Sequence, residues 1–208
     1  MADTLDVITL AEAKLAINIA SSDTSQDTEL AGYVTAVSRR LDTLCGPVVK
    51  RTISGEQHMV SRDLYIDVRY RPIYSVAAVY EFSADGTALP LNDETTTVKP
   101  QDGFLIDPNT RERYRIFRRS SGLMYPFPYY GIVEVSYDAG RYADTASVDP
   151  VFKQGAAIML AQLWRREQGI GTANFGLSDQ AGTTIPTFAV PRAVLELLAE
   201  YLRPAGVA

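Results

Sequence analysis

The sequence predicts an α+β protein in which two N-terminal and two C-terminal helices form a four-helix-bundle-like core around a central antiparallel β insertion. Three observations predict it. Apolar residues recur at intervals of three and four near both ends of the chain, they alternate with period two in the middle, and turn-forming dipeptides divide the middle into short segments. The 208 residues are 46% hydrophobic and 22% charged, which suits a folded chain able to bury a core without staples. The expected organisation is a single domain over 1–208, with helices within 9–46 and 150–204, the β insertion at 47–142 and a flexible loop at 169–187.

The first helix starts after Thr9, because Thr9-Leu10-Ala11-Glu12 has the spacing of a capping box. Leu10, Ala13 and Ile17 then share one face. A polar spacer, Ser21 to Ser25, precedes a second helix with Asp27 and Glu29 in its first turn, where the helix dipole favours acids. Its stripe of Leu30, Val34, Val37, Leu41 and Leu44 ends at Gly46-Pro47.

From there the period is two: Leu64, Ile66 and Val68 alternate with Asp63, Tyr65, Asp67 and Arg69. Further strands are expected at Val76 to Phe82, Phe104 to Ile106, Arg113 to Phe117 and Ile132 to Tyr137, with turns at Arg71-Pro72, Asp85-Gly86, Asp102-Gly103 and Pro108-Asn109. Asp149-Pro150 then caps and opens a third helix, whose stripe is Phe152, Ala156, Met159 and Leu163. The stretch beyond Gly169, rich in Gly and Thr, has no period. The last helix begins near Pro191, presents Val194, Leu197, Leu198 and Tyr201, and stops at Pro204.

Composition argues against several chemistries. One cysteine, Cys45, cannot form an intrachain disulfide, and one histidine, His58, cannot supply a His-rich metal site. No metal, cofactor or catalytic residue is therefore assigned. A triad would need His58, yet no nucleophile elbow surrounds it. Asp63 and Asp67 share a strand face but stand roughly 13 Å apart along it, beyond the roughly 9.5 Å limit of an inverting glycosidase pair. Gly169, Gly171 and Gly176 miss the dinucleotide-binding spacing. No apolar run reaches the roughly 20 residues that span a bilayer, and the N-terminus lacks a basic signal region, so neither membrane association nor export is expected.

Against this scarcity stand 12 Tyr, 7 Phe and 1 Trp, which point to contact surfaces. The run 111–119 concentrates arginines, with Arg111, Arg113 and Arg115 on one strand face. It reads as a salt-bridged strand face, as a subunit contact, or as a nucleic-acid ribbon. The net charge of −5 disfavours the last. For a subunit contact, the acidic N-terminal hairpin with Asp23, Asp27 and Glu29 is the complementary surface. The segment Met124 to Tyr130 packs four aromatics, Tyr125, Phe127, Tyr129 and Tyr130, around two prolines. It either folds onto its own sheet or forms a rigid partner-contact loop.

The ordered pieces resemble a known family. Ile8-Thr9-Leu10-Ala11-Glu12-Ala13-Lys14, the helix end Leu44-Cys45-Gly46, Arg71-Pro72-Ile73-Tyr74-Ser75-Val76, Val133 to Gly140, Asp149 to Gln154, Val190 to Val194 and Tyr201-Leu202-Arg203-Pro204 together resemble the head–tail connector (adaptor) proteins of long-tailed double-stranded DNA bacteriophages and gene-transfer particles. The resemblance covers nearly the whole chain. It implies a non-enzymatic virion structural protein of the neck, made in the host cytoplasm and assembled as a dodecameric ring beneath the portal protein. Such a ring joins the head to stopper or tail-completion proteins, and double-stranded DNA passes through it without sequence-specific binding. The isolated protein is often monomeric until the portal templates the ring. The resemblance also implies that the C-terminal segment, with Tyr201 and Arg203, docks on the portal. The alternatives are a monomeric binding module using the aromatic-proline loop, and a small hydrolase with a carboxylate pair formed by tertiary contacts.

Overall fold

The computed structural model describes residues 3–83, 85–94, 102–107, 114–129, 131–167 and 190–202. The expected loop at 169–187, together with Arg111, Arg113 and Arg203, lies outside them. The chain divides into two compact units: Met1–Val49 with Tyr142–Ala208, and Lys50–Arg141.

The first unit holds α1 (Leu10–Ala16) and α2 (Asp27–Cys45) from the N-terminal half, and α3 (Pro150–Glu167) and α4 (Arg192–Leu197) from the C-terminal half. Local chemistry explains where they begin. The Thr9 hydroxyl accepts the Glu12 N–H at 3.2 Å and the Glu12 carboxylate accepts the Thr9 N–H at 2.7 Å, so the capping box is complete. Asp149 accepts the Val151 N–H at 2.8 Å at the head of α3. Gly46, at φ 81°, turns the chain out of α2 in the left-handed region that only glycine enters without strain. Leu30, Val34, Val37 and Leu41 of α2 pack with Phe152, Ala156 and Leu160 of α3 and with Val194 and Leu198 of the C-terminal segment. Phe152 stacks between Tyr142, at 5.8 Å, and Tyr201, at 4.8 Å.

The second unit is a curled sheet of eight strands: β1 (Arg51–Val60), β2 (Tyr65–Asp67), β3 (Ile73–Phe82), β4 (Ala88–Asp93), β5 (Gly103–Ile106), β6 (Arg115–Ser120), β7 (Leu123–Met124) and β8 (Gly131–Ala139). The order is β1-β8-β3-β4-β5-β6-β2, with β7 folded back on β6. All pairs are antiparallel except β4 with β5. The two edge strands feed one core: Val60 of β1 and Ile66 of β2 join Val79, Leu91, Phe104, Ile116, Val133, Val135 and Tyr137. Alternation along β8 sends Val133, Val135, Tyr137 and Ala139 inward.

The expected fold class is corrected by this architecture. The described residues are dominated by an eight-stranded mixed sheet, and the four helices among them do not make a four-helix-bundle core. α1 has 7 residues and α4 has 6, so only α2 and α3 are long enough to present a sustained stripe. The insertion is not purely antiparallel either, because a strand at 88–93, which carries Pro90 and little apolar signal, runs parallel to β5.

Candidate protein-contact surface

The arginine run is where sequence and structure differ most instructively. Arg115 forms a bidentate pair with Asp67 of β2, Nε to Oδ1 at 2.8 Å and Nη2 to Oδ2 at 3.2 Å. Its guanidinium lies 3.8 Å from the Tyr65 ring centre and 5.5 Å from that of Tyr114, and Arg71 covers Tyr114 at 5.0 Å. Hydrogen bonding to Asp67 holds the Arg115 pKa further above its ordinary value. Arg118 points inward. Burial works against its charge, but two bonds to Glu81, at 2.5 and 3.1 Å, and the Asp102 carboxylate at 3.3 Å outweigh that penalty and raise its pKa. Arg119 pairs with Glu94 at 2.8 Å. Each described arginine of the run is thus neutralised by an acid from a different segment, and the strand presents little net positive charge.

The acidic hairpin divides its three acids. Asp27 turns to the buried Lys14 ammonium, 2.6 Å away. Asp23 stays exposed and accepts the Ser25 hydroxyl at 2.6 Å and its N–H at 3.0 Å, which lowers its pKa. Glu29 is exposed and accepts the Tyr33 hydroxyl at 3.0 Å. These acids belong to the helical unit, and Arg115 to the sheet unit.

The aromatic-proline segment sorts its rings by chemistry. Phe127, with no polar tip, is 1% exposed and plugs the sheet core; its N–H donates to the Asp63 carbonyl at 2.7 Å. Its two described tyrosines remain at the surface. Tyr125 lies over Arg118 at 4.6 Å, and Tyr129, 61% exposed, lies under Arg62 at 5.6 Å. Tyr201 is half-buried against Phe152.

His58, Asp63 and Cys45 sit in local contacts of their own units. His58 Nε2 is 2.9 Å from Glu56, whose carboxylate also accepts the Tyr137 hydroxyl at 2.8 Å and the Arg69 N–H at 2.8 Å. Asp63 accepts the Ser61 N–H at 2.9 Å. Cys45 is buried. Among the described residues no group of three or more His, Cys, Asp or Glu side chains is placed to hold a metal ion, and no helix is long and apolar enough to cross a membrane.

Burial pushes the Tyr137 phenol pKa up. The sign follows directly: above the pKa of a free tyrosine, about 10, the unfolded chain releases this proton while the folded chain keeps it. Stability is therefore expected to fall as pH rises past about 10. Denaturation midpoints between pH 8 and pH 11 should show that slope, and Tyr137→Phe should reduce it.

One feature escaped the sequence reading. On the outer face of β1, β8 and β3 the register aligns Met59, Ile132 and Phe82 in a single row. Beside it a groove of about 460 Å³ is lined by Gln57, Phe82, Pro128, Tyr129, Gly131 and Ile132 among others. Met59 at its edge is 93% exposed. The sequence signal was faint, a lone Met at the end of a polar strand. The row exists only once strands far apart in the chain are paired.

The class so defined is an α+β chain with a helical unit and a mixed-sheet unit. No protein-family model matches the chain, and no curated protein matches it. Solved structures do. A chain of the neck of an empty gene transfer agent (GTA) particle, computed with C6 symmetry, is similar with a TM-score of 0.60 at 18% identity, over 97% of this chain and 93% of that one. A chain of the native GTA virion gives 0.57 at 17% identity, over 97% and 93%. A chain of the native GTA neck computed with C12 symmetry gives 0.51 at 19% identity, over 100% and 98%. At these identities the shared property is the fold, and it extends over essentially the full length of both chains.

Proposed function

We propose that the protein is a structural component of the neck of a phage-like particle, an adaptor that forms a ring below the portal and joins the DNA-filled head to stopper or tail proteins. The observation that carries this reading is the end-to-end match to chains from GTA necks, helical unit and sheet unit included. The symmetry of those necks supports a ring. The surface chemistry agrees, with Tyr125 and Tyr129 displayed and Arg115, Arg118 and Arg119 paired with acids of their own unit, as suits assembly rather than turnover.

A ring that passes a genome works best if it does not hold phosphates. The net charge of −5 and the internal neutralisation of Arg115, Arg118 and Arg119 provide that. Binding to duplex DNA at physiological salt is expected to be weaker than a Kd of about 10⁻⁴ M in a mobility-shift titration. The role itself is tested by electron microscopy of particles made from a genome lacking this gene. Heads without tails are the expected product, and normal tailed particles would overturn the reading. Mixing the purified chain with its portal should yield a ring-shaped complex.

A further inference from the structure

The sheet unit carries a groove, and the α1–α2 segment of the helical unit carries an exposed apolar side chain and an exposed acid. Leu15 on α1 is 79% exposed, an apolar side chain with no core to enter. It belongs to the turn that carries Asp23: the Asn18 N–H donates to the Leu15 carbonyl at 3.3 Å, and the neighbouring Lys14 ammonium holds the Asp23 carbonyl at 2.7 Å. Through further contacts to the Ser21 carbonyl at 3.4 Å and to Asp27 at 2.6 Å, that lysine ties the turn to α1, the helix that carries Leu15. Among the described residues no ion pair reaches the Asp23 carboxylate, whose hydrogen bonds come from Ser25. At the groove, Arg62 stacks on Tyr129, and no ion pair with a described carboxylate involves it.

We infer that the groove receives the Leu15–Asp23 turn of a second copy of this chain, with Leu15 seated between Tyr129 and Ile132 and Asp23 beside Arg62. At about 460 Å³ the groove is large enough to take a projecting leucine side chain. The turn and the groove are different patches, so the contact is heterologous and propagates head to tail, as a closed ring requires. Charge complementarity orients it: among the described residues neither the Asp23 carboxylate nor the Arg62 guanidinium, which lies over the groove's Tyr129, has an ion pair. The inference rests on the ring reading above and names the surfaces that would build it.

Self-association of the full chain, alone at high concentration and with the portal added, is measured by sedimentation and electron microscopy. Leu15→Arg, which removes no buried contact, should weaken ring formation about thirtyfold, the effect of losing one interface hot spot. Arg62→Glu should weaken it about tenfold, and adding Asp23→Arg should restore it. Because native Cys45 is buried, a Leu15→Cys Met59→Cys double variant reports the contact under oxidation. A ladder of dimer, trimer and larger species is expected, whereas each single cysteine stops at dimers. Rings that form unchanged in Leu15→Arg would overturn this contact and leave the ring reading standing. Wild-type chains that stay monomeric even with the portal would overturn both.

Discussion

Arg118→Met is expected to cost about 3–5 kcal/mol of stability. Arg118 sits on β6 and Glu81 on β3, strands separated in the sheet by β4 and β5, so their paired bonds cross the interior of the curl. Both side chains are less than a tenth exposed. Removing the guanidinium leaves the Glu81 carboxylate buried without its counter-ion, and Asp102, more than half exposed, has water to fall back on while Glu81 does not. The companion variant separates this cause from lost packing. Arg118→Met combined with Glu81→Met removes both charges and should recover most of the loss, because a buried pair replaced by apolar groups of similar size is often nearly neutral. Urea denaturation followed by circular dichroism measures both. A double variant as unstable as the single one would show that packing, and not the orphaned charge, sets the cost.

Lys14→Met is expected to cost about 2–3 kcal/mol, somewhat less than Arg118→Met because the Asp27 carboxylate keeps 30% of its exposure and can rehydrate. The loss has two sources. Asp27 loses its partner at 2.6 Å, and the carbonyls of Asp23 and Ser21, at 2.7 and 3.4 Å, lose the donor around which the α1–α2 turn is wrapped. Amide exchange should therefore rise most in residues 17–26, and Asp27→Asn in the same chain should recover part of the stability. The same variant bears on assembly, since the turn it loosens is the one inferred to dock. A chain that unfolds normally but assembles poorly would place Lys14 in positioning the turn.

The features legible in the sequence were those whose partners lie within a few residues. Thr9 with Glu12, Asp149 with Val151 and Gly46 at the end of α2 are local bonds or local dihedrals, so spacing alone announces them. The strands expected at Val76 to Phe82 and Ile132 to Tyr137 fall within β3 and β8, because alternation reports which side faces a core. What alternation cannot report is which strand lies next door. The order β1-β8-β3-β4-β5-β6-β2 joins segments far apart in the chain, and β4, with its Pro90, carries too little pattern to be seen. The bundle expectation failed for a related reason: stripes in α1 and α4 were visible, but not that each helix ends within two turns.

The contact surface divides along the same line. Composition established a chain rich in tyrosine and poor in cysteine and histidine, and so oriented the reading to surfaces. It could not assign partners to the arginines. Asp67, weighed in the sequence as one of two acids on a strand face, is the clasp of Arg115; Glu81 and Glu94 lie 37 and 25 positions from their arginines. Nor could it separate Phe127, which plugs a core, from Tyr125 and Tyr129, which stay in solvent. Caps, turns, period and residue inventory were therefore settled by the order of the amino acids, because each depends on neighbours along the chain. Strand order, the neutralisation of the basic run and the groove beside Met59 were settled by folding, because each joins residues whose proximity arises only when distant strands pair.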